Sequence, residues 1–116
     1  MISRRLGIAI LAVGLSFSAA PAGATGQFLQ QAMDETKEAI EAGKQAQSSS
    51  FIEHATEAVS HARDAVWQQP VEHIRQGIKS LRKAIKMAKG TSSDKRLSKA
   101  TDLAQNALTH FEAAAQ

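Results

Sequence analysis

The sequence predicts an all-α protein, an antiparallel up-down-up-down four-helix bundle preceded by a cleavable secretory signal. Three observations carry that expectation. Beyond residue 24 the chain holds one proline, Pro70, and is filled with alanine, glutamine, glutamate and lysine, residues of high helix propensity. Apolar residues recur at alternating steps of three and four, which keeps one face of a helix toward a neighbour. The breaks between these stretches are short, so consecutive helices fold back alongside one another, and their narrow apolar stripes can be buried only against each other.

At the N-terminus, Arg4 and Arg5 precede an uncharged stretch from Leu6 to Phe17. Small residues follow, ending in Ala22-Gly23-Ala24, the small-x-small pattern of a signal-peptidase site, with cleavage expected after Ala24. The apolar run is too short to span a bilayer as a helix and is followed by Pro21 and Gly23. Ser3-Arg4-Arg5 resembles a twin-arginine signal, but Gly7 stands where that motif takes a bulky apolar residue, which favours the ordinary export route. The expected location is the periplasm or the cell exterior.

The mature region, residues 25–116, is expected to be one domain with helices at about 26–47, 51–69, 70–89 and 93–115. In helix one the stripe is Leu29, Ala32 or Met33, Thr36, Ala39 or Ile40, and Gly43, fading into Ser48-Ser49-Ser50. Ser50 and Glu53 form a capping-box pattern that opens helix two, whose stripe is Ile52, Ala55, Val59, Ala62 and Val66. Pro70 is tolerated in a first helical turn, where its missing N–H has no partner to lose, so helix three is expected to start there. Val71, Ile74, Ile78, Leu81, Ile85 and Ala88 form its stripe, and Gly90 supplies a left-handed stop. After the N-caps offered by Thr91 to Asp94, helix four carries Leu97, Ala100, Ala104, Ala107, Phe111 and Ala114. With so many alanines on the stripes, close helices and a thin core are expected.

Charge and composition exclude several functions. Without residues 1–24 the chain has 12 basic and 11 acidic side chains, so its surplus of positive charge is no argument for nucleic acid. The absence of cysteine excludes disulfides, thiolate metal sites, C-x-x-C-H haem attachment and an N-terminal lipid anchor. Residues 25–69 hold 3 basic and 7 acidic side chains, and residues 70–116 hold 9 and 4. The basic run Arg75, Lys79, Arg82, Lys83, Lys86, Lys89 therefore reads as a solvated face complementing acidic helices one and two, and no aromatics are interleaved with it to stack on bases. Trp67 and Met87 read as end-packing and gap-filling residues. No Ser-His-acid order, phosphate loop, H-E-x-x-H or paired-carboxylate cleft supports catalysis.

The histidines are the candidate ligands. His54, His61, His73 and His110 each stand immediately before a stripe residue, at the shoulder of the buried seam, where an imidazole reaches both water and the next helix. One ion cannot join His54 and His61: seven residues of helix rise about 10.5 Å, while a ligand nitrogen must lie about 2 Å from the metal. Glu57 lies three residues after His54 and four before His61, and Asp64 three after His61, so each imidazole has a carboxylate on its side of the helix. One imidazole with one or two carboxylates suits copper(II), nickel(II) or zinc(II), bound weakly. The bland alternative is a set of surface histidines with salt-bridge neighbours.

The stretches 53–62 (EHATEAVSHA), 77–86 (GIKSLRKAIK) and 100–110 (ATDLAQNALTH) resemble the periplasmic small metal-binding protein family, histidine-bearing four-helix bundles built on heptads. The resemblance covers nearly all of residues 27–116 and implies a non-enzymatic protein that sequesters or delivers divalent metal ions, copper foremost. It places family histidines at His54, His61, His73 and His110, with Glu57 beside the helix-two pair. Other family positions hold Ser80, Met87, Leu103, Glu35 and Ala42 instead, so much of that ligand set is missing. Two other readings stand beside it. Met33 early in helix one and His110 late in helix four resemble the ligands of four-helix cytochromes that hold haem b non-covalently, and a ligand-free interaction module needs no special residues at all. No nucleic acid and no stable membrane insertion after signal cleavage are expected.

The signal reading has a direct consequence. Exported protein should begin at or within a few residues of Thr25 by N-terminal sequencing; native protein that retains Met1 contradicts it.

Overall fold

The computed structural model describes residues 24–68, 71–90 and 93–116. The expected signal segment and Pro70 lie outside the described residues. Among the described residues there are four helices, α1 Ala24–Lys44, α2 Ser48–Gln68, α3 Glu72–Ala88 and α4 Asp94–Ala114, and no strand. Each helix packs on the next in sequence, and α1 also packs on α4, which closes a ring of four around a single apolar core.

The boundaries differ from the sequence reading in two instructive places. The α1–α2 connection is complete before the serines: Ala46 takes a left-handed φ of 60°, while the Gln47 N–H donates to Ala42 O and the Ala46 N–H to Gly43 O. These are the paired closing bonds of a Schellman turn, with alanine where glycine is usual. Ser48, Ser49 and Ser50 consequently belong to α2, whose first internal bond runs from Phe51 N–H to Gln47 O, and Ser50 is not its cap. At the other junction Val71 is extended and caps α3, which starts at Glu72, two residues beyond the proline. Gly90, at φ 67°, follows the end of α3, and the Ser93 hydroxyl accepts from Arg96 N–H to cap α4, both as the sequence suggests.

The stripes are close to those expected, with a small rotation. In α2 the fully buried positions are Phe51, Ala55, Ala58, Ala62 and Ala65, whereas Ile52 and Val66 are only partly covered. In α3, Gly77 and Ala84 lie inside, and Ile85 sits at the edge. Small side chains at most of the buried positions let the helix axes come together. Twelve of the 22 buried apolar residues are alanine, so the core is thin, and its large anchors are few, chiefly Phe51, Phe111, Ile74 and Leu81. Two polar groups enter it. The hydroxyls of Thr36 and Thr101 donate to Ala32 O and Leu97 O, one turn back, so neither is left unsatisfied.

The glycines mark the tightest contacts. A Cβ at Gly77 would collide with the Phe111 ring, and one at Gly43 with Thr101 Oγ1 and the Phe51 ring. Gly77 therefore lets α4 lie against the backbone of α3, and Gly43 does the same for α1 against α2 and α4.

Two substitutions test this packing by thermal unfolding followed by circular dichroism. Leu81→Asp should cost at least about 3 kcal/mol, because an unpaired charge would be buried with no partner; a protein as stable as the parent contradicts the placement of α3. Ala46→Gly should raise the stability by about 1 kcal/mol by removing a left-handed strain that a Cβ imposes. An unchanged or lower melting temperature contradicts the Schellman turn.

Candidate metal-binding histidines

All four histidines lie on helices, half-buried or exposed, and sequence spacing anticipates the contact of His61 with Glu57 but not those of the other three. His54, in the second turn of α2, turns toward α1, where its Nδ1 lies 2.8 Å from Glu35 Oε1. A carboxylate can only accept, so Nδ1 carries the proton and donates it. In the neutral ring the lone pair then sits on Nε2. This is the arrangement by which a carboxylate orients a metal-ligating imidazole. Glu35 and His54 are both about one-third exposed, so the site is open to water on one side.

His61 Nε2 stands 3.9 Å from Glu57 Oε1, too far for a hydrogen bond. Glu57 thus faces His61 loosely, and the carboxylate bonded to His54 comes from α1 instead. The notion of Glu57 serving both residues of α2 is replaced by two different settings. His54 is tied across helices, and His61 keeps a free imidazole with a mostly exposed acid nearby.

His73 and His110 come together, which spacing arguments along single helices do not anticipate. Their ring centroids are 5.7 Å apart with planes inclined by 29°. The cause is the close approach at Gly77. Phe111 lies on Gly77, His73 is one turn earlier on the same face of α3, and His110 is the residue before Phe111. At the opposite end of the same helix pair, Arg96 Nε donates to Met87 O. His73 lies as far before Met87 as His110 lies after Arg96, so the two contacts belong to one register.

Two ligand nitrogens on one metal lie at most about 4 Å apart, twice the usual bond length. The stacked rings stand with their centroids 5.7 Å apart, and ligation of one ion by both would need their nitrogens brought to that spacing. His73 is exposed and His110 half-buried, so the pair lies at the surface of the bundle. Among the described residues no group of three or more His, Asp or Glu side chains converges as a ready metal cage. An ion held at any of these histidines would therefore have one or two protein ligands, with water completing its coordination.

Met33, the other half of the haem reading, is buried in the apolar core, while the ring beside His110 is that of His73. Haem binding between Met33 and His110 would have to displace that packing. Trp67, expected to pack at a helix end, is instead 86% exposed.

A family model described as "Small metal-binding protein" matches residues 3–114. No curated protein matches at a significant level.

The orientation of His54 can be read by nitrogen NMR of the imidazoles. The parent should show the Nδ1–H tautomer for neutral His54, and Glu35→Ala should release it into a mixture. A parent His54 in the Nε2–H form contradicts the Glu35 contact.

Proposed function

The chain belongs to the small metal-binding protein family, and from that premise we propose that it binds divalent ions, copper(II) foremost, through its seam-flanking histidines and without catalysis. The observation that carries this reading is the juxtaposition of His73 and His110, which offers two imidazoles to one ion. His54, oriented by Glu35, and His61, with Glu57 nearby, serve as separate single-imidazole sites. Imidazole with water and carboxylate oxygen suits copper(II) over nickel(II) and zinc(II) on the general affinity order. The up-down-up-down course of the helices belongs to the same reading, supported by the contacts of Met87 with Arg96 and of His73 with His110. Action in the periplasm rests on the signal-like segment, and sequestration or delivery there suits open, few-ligand sites that load and release readily.

The apolar core is independent of these shoulder residues, so metal removal by a chelator should leave helicity intact. Calorimetric titration with copper(II) at neutral pH should show more than one ion per chain. Replacing His73 and His110 together by alanine should remove the tightest phase, and replacing His54 and His61 should remove weaker ones. Glu35→Ala should weaken the His54 site by about tenfold. Binding should vanish as acid protonates the imidazoles, since a protonated ring has no lone pair for a metal. A parent that binds no ion at neutral pH, or a quadruple histidine variant that binds as the parent does, contradicts the reading.

A further inference from the structure

Among the described residues the basic run of α3 makes no direct ion pair with the acidic helices. Among the described residues the carboxylate contacts within 4.0 Å are made by His54 and His61, and no Lys or Arg makes one. The basic side chains instead line an open groove of about 700 Å³ along α3 and the end of α2. Seven of its eleven lining residues are Lys or Arg, and none is acidic. Arg63 and Trp67 form one wall, and Lys79, Arg82, Lys83 and Lys86 the other. The indole of Trp67 projects into solvent at its edge, with Val66 and Ile85 partly uncovered beneath the charges.

An unpaired cationic face beside an exposed tryptophan has the composition of an interfacial surface. The ammonium and guanidinium groups attract an anionic layer, and an indole settles at the boundary between headgroups and acyl chains. We infer that this face of the bundle docks on an anionic phospholipid surface, peripherally, with Trp67 entering the headgroup region. No helix among the described residues is long and apolar enough to cross a membrane, which leaves surface attachment by this face. A single aromatic without others in series is a poor platform for successive bases, which disfavours nucleic acid. The groove also lacks carboxylates or amides to set register with a particular peptide, which favours recognition by charge density. The inference is independent of metal binding.

Trp67 is the single tryptophan of the full chain, so its emission reports this face and no other. The full chain, with chelator present, is mixed with vesicles of equal parts phosphatidylcholine and phosphatidylglycerol, and with vesicles of phosphatidylcholine alone. The anionic vesicles should shift Trp67 emission to the blue, high salt should reverse the shift, and neutral vesicles should leave it unchanged. Combined Lys79→Glu, Lys83→Glu and Lys86→Glu should abolish the shift, and glutamine at the same positions, which leaves no reversed charge near the helix end, should reduce it. An absent shift, an equal shift on neutral vesicles, or an undiminished shift in a folded glutamine variant overturns the proposal. So does a response to soluble polyphosphate, or to protein concentration alone, without one to anionic vesicles.

Discussion

The close approach of helices through alanine and glycine is the constraint on which the rest of this molecule depends. A core in which more than half of the buried apolar residues are alanine gains little from any one side chain. Its stability rests on bringing backbones near enough for many small contacts to accumulate. Gly77 under Phe111 and Gly43 under Thr101 and Phe51 are the places where that approach is tightest. They also fix the helix pairs in register, because a ring seated on a glycine has no neighbouring hollow of the same shape to slide into.

That register gives the shoulder residues their partners. With α3 and α4 locked at Gly77 and Phe111, His73 meets His110, and α1 packed on α2 sets Glu35 against His54. In a bundle with a thicker core the same shoulders would stand farther apart, and each imidazole would face water alone. The thin core thus brings the shoulder side chains together while taking no part in their contacts. It also explains the openness of the sites, since a thin bundle has no interior in which to enclose an ion with a complete set of side chains.

The four helices and most of their buried positions were legible in the sequence, because three-and-four spacing and helix propensity speak directly about a single helix. Ala46 was not, since a left-handed alanine has no compositional mark, and the serines after it look like a cap that the Schellman turn makes unnecessary. Of the histidine contacts, that of His61 with Glu57 was legible from helical spacing and the others were not. Spacing within α2 pointed to Glu57, and the bond to Glu35 crosses between helices whose relative rotation no one-helix pattern fixes. The pairing of His73 with His110 could have been approached from the equal spans on either side of the α3–α4 connection. Gly77 was the missing clue, an interruption on a stripe position that is informative only once Phe111 is seen above it. Trp67 was read as packing because a large apolar residue near a helix end usually does, whereas here it is exposed.

The proposed sharing of one copper(II) ion by His73 and His110 depends on the register set at Gly77. Crystals of the copper-loaded protein, measured by anomalous scattering at the copper edge, locate the ion without reference to affinity. A copper peak within bonding distance of both rings is expected. Copper found elsewhere on the surface, with the His73 and His110 rings still stacked and unliganded, would contradict it.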